Sequence, residues 1–146
     1  MGKIIPYTIR MSDCIFCKII AREIPASIIY EDDSSLAFLD ARPINPGHTL
    51  LVPKEHRKNL YDMPDELLSS FMPTIKKLAI AIKKAVSADG INIGMNNDGA
   101  AGQIVMHHHT HIIPRYSNDG YEHWKGKEYW SRGIELETME KIKSAL

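Results

Sequence analysis

The sequence predicts one α+β domain organised around a mainly antiparallel sheet, and three observations carry that reading. Short runs rich in β-branched and aromatic residues recur between Asp, Ser, Gly and Pro punctuation, as in "SIIYEDDSSLAFLD", "HTLLVP" and "INIGM". One stretch, Leu68 to Val86, instead spaces its apolar residues by three and four, the stripe of an amphipathic helix. The 146 residues show no repeat, low-complexity tract or linker, and a chain of that length fills a single core.

The elements follow in order. Residues 1–12 read as an N-terminal extension with no apolar stretch of signal-peptide length, and Met11 is an alternative start. Asp13 stands where it would cap a short helix whose apolar side is Phe16, Ile19 and Ile20, ahead of Pro25. Two β-rich runs around Asp32, Asp33 and Ser34 predict a hairpin. After the Pro/Gly turn of "ARPINPGH", His48 to Val52 forms a third strand closed by Pro53. The amphipathic helix presents Leu68, Phe71, Ile75, Leu78, Ile82 and Val86, with a kink expected at Pro73. Ile91, Ile93 and Met95 alternate as a strand, and the loop "DGAAG" leads to a last strand that starts near Ile104 and ends at Pro114. Met139, Ile142 and Leu146 mark a short helix in the C-terminal tail, residues 125–146.

Lys and Arg number 18, as do Asp and Glu, so the formal charge is zero. A polymeric nucleic acid as partner is excluded on that ground, because binding by counterion release needs an excess of clustered basic charge. A single nucleotide or other small anion is compatible. The longest apolar run, Leu78 to Ile82, is far too short for a membrane span, and the expectation is a soluble cytoplasmic protein. Only two cysteines occur, Cys14 and Cys17, which is too few for a disulfide framework. The pair is half a zinc site, a redox dithiol, or two small buried residues.

The segment "GQIVMHHHTHIIPR" places His107, His108, His109 and His111 within five positions. On a strand, His107, His109 and His111 share one face, and His108 and Thr110 point to the other. Three imidazoles on one face admit three readings. They form a solvated edge, or they hold a metal, or one of them is a nucleophile. A single ion cannot take all three on a straight strand, where the first and third stand about 13 Å apart. Two of them with outside ligands can, and Cys14, Cys17, His48 and His56 are available. A nucleophilic histidine attacking phosphorus needs its Nδ1–H pinned by an acceptor, and donors for the phosphoryl oxygens. Gly99 and Gly102 let backbone approach a ligand closely, and Asn96 and Gln103 carry neutral amide donors, all just ahead of the histidines.

The strings "DCIFCKIIAREIPASIIYEDD", "FLDARPINPGHTLLVPKEH" and "DGAAGQIVMHHHTHIIPR" closely resemble the histidine-triad (HIT) family of nucleotide-binding hydrolases and transferases. The match runs from about residue 13 to residue 124, so that range is expected to be the domain. The resemblance implies a five-stranded antiparallel sheet with a long helix and a short N-terminal one. It also implies a homodimer whose two sheets join, and a purine nucleotide as substrate. By the same carry-over His109 is the nucleophile that accepts a nucleoside monophosphoryl group. His111 orients it or contacts the phosphate, and His48 supports the site. Asp40 accepts the ribose hydroxyls, and Phe16, Ile19 and Phe38 line an apolar base pocket. Asn96, Gly102, Gln103 and Ile104 line the α-phosphate. The Cys-x-x-Cys is similar to that of the zinc-containing prokaryotic branch, which implies a structural zinc on Cys14, Cys17, His56 and His107. This chain departs from the family pattern at His108 and Thr110, where apolar residues are usual on the face that packs against helices.

Overall fold

The computed structural model describes residues 13–126, 128 and 131–146; the expected N-terminal extension and Met11 lie outside them. Five strands form one sheet in the order β1-β2-β3-β5-β4, with every neighbouring pair antiparallel. The strands are β1 (Ile28–Glu31), β2 (Ser35–Leu39), β3 (Thr49–Pro53), β4 (Gly90–Met95) and β5 (Thr110–Arg115). The first three make a meander. The long helix α2 (Asp65–Ala85) then crosses from β3 to β4, leaving a slot that β5 fills. Among the described residues no helix is long and apolar enough to cross a membrane.

The hairpin turn is fixed by Asp32, whose Oδ1 accepts the backbone N–H groups of Ser34 and Ser35 and both their hydroxyls. Burial raises the pKa of this carboxyl, but those bonds and the Tyr30 hydroxyl outweigh it and hold the group at about 2. Helix α2 carries Asp65 and Glu66 in its first turn and Lys83 and Lys84 in its last, each sign complementing the helix dipole. It continues unbroken through Pro73.

Side chains alternate across the sheet and build two cores. Ala37, Leu51 and Ile112 meet Phe71, Ile75, Leu78 and Ile82 of α2 on one face. Burying each of the larger α2 side chains stabilises the fold by about 1.5–3 kcal/mol. Leu36, Phe38, Leu50 and Val52 point to the other face and meet Cys14, Phe16 and Ile19. The last three belong to or adjoin the short helix α1 (Ile15–Ile20), which covers only the β1–β3 part of that face. Among the described residues no helix packs against the β4–β5 part of that face, and the histidines lie at the boundary.

Three sequence expectations are corrected. Asp13 does not cap α1: Cys14 occupies the N-cap position with extended backbone and no side-chain cap, and its thiol lies 3.4 Å from His107 Nδ1. The last strand begins at Thr110 rather than near Ile104, since the Val105 carbonyl is taken by the Gln103 amide and the His108 N–H by the Arg57 carbonyl instead of a strand ladder. It also continues through Pro114 to Arg115. Pro114 is tolerated because β3 stops pairing at Thr49 opposite Ile112, so only β4 flanks the strand there. The predicted C-terminal helix is present as α3 (Arg132–Ala145), with Met139, Ile142 and Leu146 exposed.

Candidate active site and metal centre

The predicted division of histidines between faces holds even where the strand does not. His107, His109 and His111 turn toward the α1 side, where Phe16 stands edge-on to His107 at 5.9 Å and to His109 at 5.2 Å. His108 and Thr110 turn toward α2, both buried, with the His108 ring 6.0 Å from that of Phe71. Burial takes the His108 pKa down to about 4, and the Thr110 hydroxyl, 3.5 Å from its Nε2, is a weak partner.

Hydrogen bonds assign the proton on each ring of the site. The His109 Nδ1–H donates to the backbone carbonyl of His107 at 2.7 Å, which leaves the lone pair on Nε2. The backbone N–H of Ile44 donates to His48 Nδ1 at 3.1 Å, so His48 carries its proton on Nε2. That Nε2–H donates to His111 Nδ1 at 2.9 Å, which puts the remaining proton of His111 on its own Nε2. His111 Nε2 is buried and has no hydrogen-bond partner among the described residues. The ring lines an open cavity of about 570 Å³ over the β4–β5 face, with Asn92, Asn96, Arg115 and Trp124 also on its walls. An unpaired buried donor is costly unless a ligand satisfies it. Burial, together with His109 and His48, lowers the His111 pKa to about 4, so the ring donates as a neutral imidazole. Burial also lowers that of His48, against an opposing pull from Asp40.

Of the other predicted residues, Asp40 stands beside this pair and Asn96 lines the same cavity. Asp40 lies with Oδ2 3.6 Å from His48 Nε2, while Oδ1 accepts the Arg42 N–H. Phe16, Ile19 and Phe38 are buried in the second core, with Phe16 and Phe38 in edge contact at 5.5 Å. Gly102 has φ +91°, a left-handed conformation, and a Cβ there would meet the Asn96 amide at 3.4 Å. Asn96 Nδ2 reaches the Gly102 carbonyl at 3.4 Å. Gln103 is buried and fully engaged with backbone: its Nε2 donates to Lys58 and Val105 carbonyls, and its Oε1 accepts from Asp98 N–H. Its amide braces the loop, and Ile104 beside it is 90% exposed.

Sequence reasoning missed several contributors. Ile44 acts through its main chain and Pro53 through its carbonyl, neither of which residue type announces. Asn59 is buried and links Asp98 to the turn at Tyr61, and Asp98 holds φ +70° within that network.

Cys14, Cys17, His56 and His107 form a second cluster, with one ligand atom from each within 4.8 Å of the others. Cys14 and Cys17 sulfurs lie 3.4 and 3.5 Å from His107 Nδ1, and Cys17 lies 3.3 Å from His56 Nδ1. Bonds of about 2.3 Å to sulfur and about 2.0–2.1 Å to nitrogen place tetrahedral neighbours roughly 3.5 Å apart, so the set fits a zinc-sized ion. His107 Nε2–H donates to the Pro53 carbonyl at 2.9 Å, which keeps the Nδ1 lone pair turned to the sulfurs. Without an ion, burial and the neighbouring Cys14 push the Cys17 thiol up to about 12. Asp40, His48 and His111 also cluster within 4.8 Å. They do not suit a metal, because the Ile44 N–H already takes one ring nitrogen of His48 and the other must carry a proton.

Comparison with known proteins identifies the family and the fold. A family model described as HIT domain matches residues 21–118. An uncharacterized HIT-like protein of Methanocaldococcus jannaschii is 54% identical over 107 residues, covering 73% of this chain and 82% of its own. An adenylylsulfatase of Arabidopsis thaliana is 41% identical over 81% of this chain and 59% of its own length. An adenosine 5'-monophosphoramidase of Saccharomyces cerevisiae is 47% identical over 70% and 62%. A crystal structure of a HIT family member from Bacillus subtilis superposes with TM-score 0.85 at 41% identity, covering 92% of this chain and 97% of that one. That of a zinc-bound histidine triad protein from Mycobacterium smegmatis gives 0.73 at 34%, covering 94% and 100%. Family model, relatives and fold agree, and this chain belongs to the HIT domain family.

Proposed function

We propose that this protein is a cytoplasmic nucleotidyl hydrolase working through a covalent nucleotidyl-histidine at His109. The observation that carries the reading is the tautomer of His109: its Nδ1–H is held by the His107 carbonyl, and Nε2 is left free as a nucleophile. In the first step Nε2 attacks the α-phosphorus, an N–P bond forms, and the bond to the leaving group breaks. The leaving group departs with that electron pair into the open cavity beyond His111. Water then cleaves the N–P bond and releases a nucleoside monophosphate. His111 donates its Nε2–H to a phosphoryl oxygen as charge builds there, and His48 fixes its orientation.

A purine nucleotide is the proposed substrate portion. Asp40 takes the ribose hydroxyls, the Phe16, Ile19 and Phe38 side receives the base, and Asn96 with the Gly102–Ile104 backbone faces the phosphate. Gln103 shapes that loop from beneath. Zinc on the quartet is proposed as structural: four protein ligands leave no open position, and when bound it ties α1 to the His107 segment. The protein is proposed to act as a homodimer, and β4, an edge strand with Ile93 exposed, is the edge at which two sheets join.

The relatives named for hydrolysis of a phosphoramidate and of adenylylsulfate support the class of reaction. The test is a panel of adenosine and guanosine phosphoramidates, adenylylsulfate and dinucleoside polyphosphates against wild type and His109→Asn. Turnover of at least one with release of the monophosphate, abolished in the variant while the monophosphate still binds, is the expected result. Binding without turnover by wild type identifies a nucleotide-binding adaptor instead. Transfer to phosphate or a sugar phosphate in preference to water identifies a transferase.

A further inference from the structure

We infer that the metal quartet positions the nucleophile, with His107 and the His56–Arg57 segment as the connection. This rests on the reading of His109 as the attacking residue. The peptide group between His107 and His108 is engaged at both ends. Its N–H donates to the Arg57 carbonyl at 2.6 Å, and its carbonyl accepts the His109 Nδ1–H at 2.7 Å. That peptide plane therefore decides where the His109 ring points and which nitrogen is free. No strand ladder holds it, since β5 begins only at Thr110.

What holds it instead is the contact between two segments, and the quartet joins those same two. His56 precedes Arg57, whose carbonyl grips the peptide N–H, and His107 supplies the peptide carbonyl. The two rings meet at 4.9 Å, with the sulfurs of Cys14 and Cys17 against them. An ion on this set cross-links His56 to His107 and so fixes the separation across which Arg57 holds the peptide. Without it the link reduces to the Pro53 carbonyl on His107 Nε2, the Gln103 amide between the Lys58 and Val105 carbonyls, and the Arg57 bond itself. The quartet contributes no atom to the reacting centre, so its influence on the chemical step falls on the orientation of His109. His56 and His107 are positioning residues in this sense.

The test compares zinc-loaded protein, protein depleted by a chelator, His56→Ala, and His56→Cys reloaded with zinc. Three readouts are taken: kcat against KM, AMP affinity, and the imidazole nitrogen and Nδ1-proton NMR signals of His109 recorded without substrate. The expected result for depleted protein and His56→Ala is a kcat lower by about ten- to a hundredfold. AMP affinity falls by much less than kcat, the small part due to Phe16 between two of the ligands, and the His109 Nδ1-proton signal shifts or is lost. His56→Cys with zinc restores both. Where metal-free protein unfolds, cadmium replacement of zinc widens the quartet in a folded chain and is expected to shift the His109 signal and kcat together. An unchanged His109 signal and kcat on depletion or on cadmium exchange overturns the inference. So does a parallel loss of kcat and AMP affinity, which marks a purely structural clamp. Absence of any turnover in zinc-loaded wild type sinks the hydrolase reading instead, and the NMR arm still decides this one.

Discussion

His48 Nε2 lies 2.9 Å from His111 Nδ1, and the Ile44 backbone N–H on the far side of His48 decides which of the two carries the proton. One main-chain donor thus sets two tautomers in series and leaves a buried donor, Nε2, on His111, whose ring lines the cavity. Replacing His48 by Ala removes the donor to His111 Nδ1, which frees that ring to turn or to change tautomer. A loss of about a hundredfold in kcat with a small change in KM is expected from steady-state kinetics. His48→Gln, which keeps an amide donor near the same place, is expected to recover part of it.

In the zinc-loaded protein, where His107 is a ligand, acid stability follows from buried His108 and half-buried His111, each with its pKa lowered by burial to about 4. Above the ordinary value near 6.5 they are neutral in both folded and unfolded chains and add no pH dependence. Between about 6.5 and 4 the unfolded chain takes protons that the fold refuses, so stability falls as pH falls through that window. For His108 the full loss is roughly 3 kcal/mol. Urea unfolding of zinc-loaded protein at several pH values measures it, and His108→Leu is expected to flatten the slope. An unchanged slope in that variant contradicts the assignment.

Metal binding is expected to release protons, because a thiol pushed up to about 12 must lose its proton to ligate. Calorimetry in two buffers of different ionisation enthalpy is expected to count on the order of one to two protons per zinc. Cys17→Ser is expected to lose tight binding and to melt at a lower temperature.

Gly47 precedes His48 with φ +97°, and a Cβ there would lie 3.1 Å from Val86 Cγ1 and 3.3 Å from Pro114 Cγ. Gly47→Ala is therefore expected to destabilise by about 1–3 kcal/mol in denaturant unfolding. It is also expected to lower kcat, since relief of the contact displaces His48.

Periodicity made the sheet strands and α2 legible, because burial on one or both faces imposes spacing that a sequence displays directly. Leu51 and Ile112 toward α2, and Leu50 and Val52 away from it, follow from alternation alone. The strand through the histidines was misread at both ends for physical reasons. Ile104 and Val105 carry strand propensity, yet Gln103 and Arg57 bind that backbone into a loop, and a proline is harmless where one neighbouring strand has ended. Cys14 rather than Asp13 occupies the N-cap position of α1, and its thiol lies against His107 instead of capping the helix. The residue types of the site were legible in the histidine cluster and the Cys-x-x-Cys. The proton positions were not, because they depend on the main-chain groups of Ile44, Pro53 and His107, which any residue supplies.

Rapid quenching of zinc-loaded wild type with an adenosine phosphoramidate, followed by mass spectrometry of the peptides, tests the nucleophile directly. An adenylyl group on the imidazole of His109, formed and lost at rates that match turnover, is the predicted result. Turnover with no adduct on the chain, or with the adduct on another residue, contradicts it.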